Sequence, residues 1–117
     1  MRNFKQLKIW QKGFEIAVKS LKLAGAFPKE EKYGLTSQVS RASVSIPSNI
    51  AEGSSRSSEK DYKRFLEFSL GSSFELETQL LIADAVNYGD FELRNEILRD
   101  VDEEQKMLIS FMNKLNT

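Results

Sequence analysis

Apolar residues recur with a 3.6-residue period in four stretches of the chain, and no stretch shows the strict alternation of a strand. The first helix is predicted from Phe4 to Ala24. Leu7, Trp10, Phe14, Ala17, Val18, Leu21 and Ala24 form its main stripe, and Ile9, Ile16 and Leu23 repeat beside it every seven residues. A helix of a four-helix monomer needs one buried face. The second stripe therefore either widens that face or covers a contact with another subunit. The second helix runs from Leu35 to Glu52, with Leu35, Val39, Ala42, Ile46 and Ile50 on one side. Pro47 lies inside it and takes away the hydrogen bond to the Ser43 carbonyl, so a kink is expected there. The apolar period continues to Ile50, so the helix should not stop.

The third helix is predicted from Glu59 to Tyr88. Phe65, Phe68, Ser72, Leu76, Gln79, Leu80, Ala83 and Val86 make its stripe, widened by Leu66, Leu70, Phe74 and Leu81. Ser58 with Asp61 reads as its N-terminal capping pair and Gly89 as its C-cap. Gly71, Ser72 and Ser73 form a small-residue patch, which predicts close approach of another helix. The fourth helix begins after Asp90 and reaches Leu115 through Phe91, Ile97, Leu98, Val101, Leu108, Phe111 and Met112. Asp102, Glu103, Glu104, Gln105 and Lys106 interrupt that stripe. Short connections make neighbouring helices antiparallel. The expected fold is all-α: one domain over residues 1–117, an antiparallel up-down-up-down four-helix bundle.

Composition narrows the function. There is no Cys and no His among the 117 residues. The commonest general base, the thiolate nucleophile and the commonest transition-metal ligand are therefore missing. This argues against an enzyme, a metal site, a cofactor or a small-molecule substrate. The lack of Cys fits a reducing cytoplasm. No apolar run approaches the roughly 18 residues that suggest a membrane span, and the N-terminal residues show no apolar signal region. Net charge is zero but lopsided. Residues 1–64 carry 13 Lys/Arg against 6 Asp/Glu, a net of +7, and residues 65–117 carry 4 against 11, a net of −7. Either the two halves neutralise each other inside one bundle, or one of them presents a face to a charged partner.

The second helix carries one unusual polar constellation. On an ideal helix Gln38, Arg41, Ser45, Ser48, Asn49 and Glu52 fall within about 100° of each other, opposite the apolar set. A solvated face is usually rich in Lys and Glu, whereas this one is mostly short Ser and Asn. Such side chains suit a crowded helix–helix contact or a subunit seam. Lys5, Lys8, Lys12, Lys19 and Lys22 line the first helix, and with Arg56, Lys60, Lys63 and Arg64 they could track a phosphate backbone. Aromatics are not interleaved among them for base stacking, and a lysine-rich solvated face is the competing reading. Asp100, Asp102, Glu103 and Glu104 lack the glycine turn of a calcium loop and read as a solvated acidic face.

Several runs together resemble one family. They are Leu7-x-x-Trp10, Phe27-Pro28-x-Glu30-Glu31, Tyr33-Gly34-Leu35-Thr36-Ser37-Gln38, and Arg41-Ala42-x-x-Ser45-Ile46-Pro47-x-Asn49-Ile50-Ala51-Glu52-Gly53. Arg56, Phe65-Leu66 and Glu75-Leu76-Glu77-Thr78-Gln79-Leu80 follow. The chain is similar to the bacterial four helix bundle proteins, also called 23S rRNA-intervening-sequence or S23-type proteins. The resemblance implies a ring-shaped homo-oligomer, a pentamer, with no catalytic residues to carry over. It places Arg41, Ser45, Asn49 and Glu52 at signature positions. It also implies a distant similarity to the accessory protein of diversity-generating retroelements, a strongly basic pentamer that binds nucleic acid and a reverse transcriptase. The expectation for this chain is a self-assembling bundle that contacts RNA or an RNA-handling partner. The alternative is a protein-interaction or structural module without nucleic-acid affinity.

Overall fold

In a computed structural model, which describes residues 2–115, the chain forms four α-helices and, among the described residues, no strand. They are α1 (Lys8–Ala24), α2 (Leu35–Ser54), α3 (Glu59–Ala85) and α4 (Phe91–Asn113), with single 3₁₀ turns at Phe4–Gln6 and Lys29–Glu31. The body measures 44 × 23 × 20 Å. No described helix is long and apolar enough to cross a membrane.

The helix ends have local causes. The first helix begins at Lys8 and not at Phe4, because Leu7 is extended and breaks the 3₁₀ turn from the helix. α2 starts after Gly34, where the Glu31 carboxylate accepts from the Leu35 N–H at 3.1 Å. It runs through Pro47 unbroken to Ser54. The Ser58 hydroxyl caps α3 by accepting from the Asp61 N–H at 3.1 Å, as the capping pair predicts. α3 ends three residues earlier than expected, and Gly89 is not its cap. Asn87 takes the left-handed conformation (φ 62°), and the Tyr88 N–H closes back on the Ala83 carbonyl at 2.8 Å. Gly89 serves the packing: a Cβ there would lie 2.7 Å from Leu23 Cδ1 at a φ of 80°. The Asp90 carboxylate caps α4 through the Leu93 N–H at 2.8 Å.

One core joins all four helices, with Ile16, Leu23, Val39, Ile46, Ile50, Leu66, Leu76, Leu80, Ile97 and Leu108 inside it. On α1 the core centres on the second stripe rather than the main one: of the main stripe Ala17 and Ala24 are buried and Leu7 and Trp10 pack against the core. Ile9, Gly13, Ile16, Ser20 and Leu23 face inward, while Phe14, Val18 and Leu21 are exposed. The small residues at 13 and 20 hid this line from a hydrophobicity count, yet they are what lets α1 come close. On α3 the inward line is Tyr62, Leu66, Ser69, Ser73, Leu76, Leu80 and Ala83, and Phe68 and Val86 point out. Within the small-residue patch the close approach falls on Ser72, whose hydroxyl meets Ser45 of α2 at 2.8 Å, and on buried Ser73, whereas Gly71 is exposed, with nothing within 4 Å of a Cβ built on it. Close approach falls also at Gly53 of α2, where an added Cβ would lie 2.8 Å from Phe65 Cβ.

Candidate functional site

The polar stripe of α2 is divided by its surroundings. Ser45 and Asn49 are half-buried against α3, and Gln38, Arg41, Ser48 and Glu52 are exposed. The Ser45 and Ser72 hydroxyls meet at 2.8 Å, and Asn49 Nδ2 donates to the Ser45 carbonyl and hydroxyl at 2.9 and 2.8 Å. One turn away, the Ser69 hydroxyl donates to the Ile46 carbonyl at 2.8 Å. Glu52 lies 3.8 Å from Arg56. The fold thus brings Ser45 and Asn49 together at the α2–α3 seam and leaves Arg41 and Glu52 facing outward.

The basic residues do not form one surface. Lys12 and Lys19 are drawn into the seam between α1 and α4. Lys12 lies 3.2 Å from Asp100 and 3.6 Å from Glu103. Lys19 lies 2.8 Å from Asp100, 2.6 Å from Glu96 and 2.8 Å from Glu15. Burial works against both ammonium charges, but the surrounding carboxylates outweigh it and hold both lysines above their usual range. The basic half of the chain thus meets the acidic half across this seam. The acidic group of α4 is therefore solvated only in part: Asp102 and Glu103 are exposed, but Asp100 and Glu104 are buried. Among the described residues, no three His, Cys, Asp or Glu side chains gather as metal ligands would.

The remaining cations collect at the α2–α3 turn. Arg2 donates to the carbonyls of Ser54 and Arg56 at 3.3 and 2.7 Å, and its guanidinium lies 4.2 Å from the Tyr62 ring centre. Arg56 and Arg64 sit 4.5 and 5.4 Å from the Phe65 ring, and Arg64 also lies 5.5 Å from Phe68. Lys60 is exposed and Lys63 half-buried beside them. Rings are thus interleaved with cations in space at this corner, although not along the sequence. Lys5 and Lys8 are exposed at the start of α1, with Lys5 6.0 Å from the Phe4 ring.

Two apolar faces lie open. Trp10, Phe14, Val18, Leu21, Val44 and Ala51 line a groove of about 420 Å³ between α1 and α2, where Phe14 is 52% exposed. On α3, Phe68, Phe74, Leu81, Ile82 and Val86 form a second exposed set. The sequence pattern put Trp10, Phe14, Val18, Leu21, Phe68, Phe74, Leu81 and Val86 in the apolar stripes, because size and period alone do not say which of two apolar stripes turns inward; Val44, Ala51 and Ile82 were in none of them. Arg94 was passed over altogether. It is 1% exposed and binds Asp84 at 2.9 Å and the carbonyls of Tyr88 and Gly89 at 2.6 and 3.2 Å, which fixes the α3–α4 loop. The available signal was a basic residue one turn before Ile97, on the apolar line of α4.

A model of the 23S rRNA-intervening sequence protein family matches residues 5–110. The chain belongs to this family. Among solved structures, a protein of unknown function from the S23 ribosomal protein family of Bacteroides thetaiotaomicron VPI-5482 is 28% identical. The match covers 91% of this chain and 99% of that one, with a TM-score of 0.83. No curated protein matches. The Ser45–Gly53 run that marks the 23S rRNA-intervening sequence resemblance supplies the α2 side of the α2–α3 seam, Ser45 and Asn49.

Proposed function

We propose that this chain is a non-enzymatic assembly module: an antiparallel up-down-up-down bundle that closes into a ring with copies of itself. The observation that carries the reading is the pair of unlike apolar faces, a groove on α1 and α2 and a ridge on α3, on a chain whose core is already closed. Exposed apolar patches of this kind mark interaction surfaces. A groove on one copy receiving a ridge from the next is a head-to-tail contact, which closes into a ring when the rotation allows. Five copies is the number that the resemblance implies. The antiparallel order is supported by residue pairs that run in opposite senses: Gly13 packs at Ile46 while Arg2 reaches Ser54, and Ser45 meets Ser72 while Gly53 approaches Phe65.

Arg41 and Glu52, exposed on the outer side of α2, stand beside the groove and in this reading meet the neighbouring copy. Light scattering tests the assembly. The wild-type chain should give one defined oligomeric mass, Phe14→Glu with Val18→Glu should give a monomer, and Arg41→Ala or Glu52→Ala should lower the mass. A monomeric wild type would overturn the proposal.

A second reading, contact with RNA, is favoured by the corner where Arg2, Arg56 and Arg64 lie over Tyr62, Phe65 and Phe68, next to Lys60 and Lys63. Phosphate contacts weaken steeply with salt. Structured RNA should therefore join the oligomer at low salt and leave at moderate salt. An oligomer that takes up no RNA at any salt would leave a protein-interaction module.

A further inference from the structure

On α4 the inward line runs Ile97, Val101, Glu104, Leu108 and Met112, so a carboxyl group occupies a core level. Glu104 is 0% exposed, and neither of its carboxyl oxygens has a hydrogen-bond partner. Gly13 makes room for it. A Cβ built at Gly13 would stand 3.0 Å from Glu104 Oε2, 3.2 Å from Ile46 Cγ2 and 3.4 Å from the backbone N of Pro47. The carboxyl therefore faces, across a glycine, the turn of α2 whose hydrogen-bond ladder is broken. Pro47 has no N–H to give to the Ser43 carbonyl.

An ionised carboxylate only accepts hydrogen bonds, whereas a neutral carboxylic acid also offers an O–H. A buried anion with no donor is far more costly than a neutral acid. The charged groups acting on Glu104 are Lys12 of α1, which favours the anion, and Glu103 of α4, which opposes it. Lys12 is itself held by Asp100 and Glu103, and Asp100 is shared with Lys19, whose other partners are Glu15 and Glu96. α2 turns Ile46 and Pro47 toward this point. Among the described residues, no charged side chain of α2 or α3 is a resolved influence on Glu104.

We propose that Glu104 is a proton-binding site: in the folded chain it is a neutral acid, buried where α1 and the proline turn of α2 pack against α4. Losing the proton leaves a buried anion with no donor and loosens that packing. Burial, reinforced by Glu103 and only partly offset by Lys12, pushes this carboxyl up to about 8. Its value in the folded chain thus lies above the unfolded value of 4.5. Protonation favours the folded state, so the contribution is complete below the unfolded value and is lost as pH rises toward about 8. Across that window one proton changes the folding equilibrium constant by about tenfold per pH unit.

Two measurements on the full chain test this. Carboxyl ¹³C NMR of Glu-labelled wild type should show one carboxyl that stays protonated through neutral pH. Urea unfolding across the same range should show wild type losing stability with pH relative to Glu104→Gln, which keeps a donor but cannot ionise. A Glu104 carboxyl already ionised at neutral pH, or matching pH profiles for the two proteins, would overturn the proposal. If Glu104→Gln does not fold, the wild-type NMR titration decides alone.

Discussion

The seams α2–α3 and α1–α4 solve the same packing problem with opposite chemistry. Between α2 and α3 the contacts are short and neutral: Ser45, itself held by Asn49 of the same helix, with Ser72, and Ser69 with the Ile46 carbonyl, closed at one end by Gly53 against Phe65. Between α1 and α4 two lysines share four carboxylates, with Asp100 at the centre. Short side chains bring backbones together and lose little conformational entropy on ordering. Long charged ones span a wider gap, depend on every partner staying in place, and respond to salt. The neutral seam is therefore the stiff half of the bundle, and the charged seam is the half that solution conditions can reach.

Breaking the close approach should have the largest effect. Gly53→Ala places a methyl group 2.8 Å from Phe65 Cβ and 3.3 Å from the Tyr62 carbonyl oxygen. Neither contact is a flexible tip, so the helices must separate. The expected loss is about 3 kcal/mol in urea unfolding, the upper end for overpacking. Asp100→Asn should come next. It leaves Lys12 and Lys19 in the seam without their shared carboxylate, and the expected cost is about 2 kcal/mol, with Glu96 and Glu103 still within reach. The variant should also lose most of the salt dependence of wild-type stability, which separates a charge effect from a packing effect. The smallest effect sharpens the comparison from the other side. Gly71→Ala meets nothing within 4 Å. It should stabilise the chain by about 0.5–1 kcal/mol through helix propensity, measured by the shift in urea midpoint. A loss of stability there would mean that Gly71 is covered in the assembled protein.

Much of the fold was legible because periodicity and end signals are local. Four helices, the Ser58 cap, the uninterrupted passage through Pro47 and the family run from Ser45 to Gly53 can all be read from neighbouring residues. The inward faces of α1 and α3 were legible in part: Phe65, Leu76, Gln79, Leu80 and Ala83 of the expected α3 stripe are buried, as are Ala17 and Ala24 of α1. Both helices carry two apolar stripes, and the larger residues, such as Phe14, Val18 and Phe68, lie on the outer one. The true core lines contain Gly13, Ser20, Ser69 and Ser73, which score as gaps in a hydrophobic pattern but allow helices to approach. In the candidate site, the polar stripe of α2 was read as one face, and the fold divides it, with Ser45 and Asn49 half-buried against α3 and Gln38, Arg41, Ser48 and Glu52 exposed; Lys12 and Lys19 were grouped with cations that the fold places elsewhere.

The sequence by itself determined the helices, most of their ends, the absence of His and Cys chemistry, and the family. These depend on residue type and on spacing within a turn or two, where the energetics are local. Only the tertiary structure decided how the paired apolar stripes of α1 and α3 divide between core and surface, which cations stay outside the α1–α4 seam, and that Glu104 lies in the core opposite Pro47. Each of those outcomes depends on what a partner helix presents at the same height, and spacing within a single helix carries no record of it.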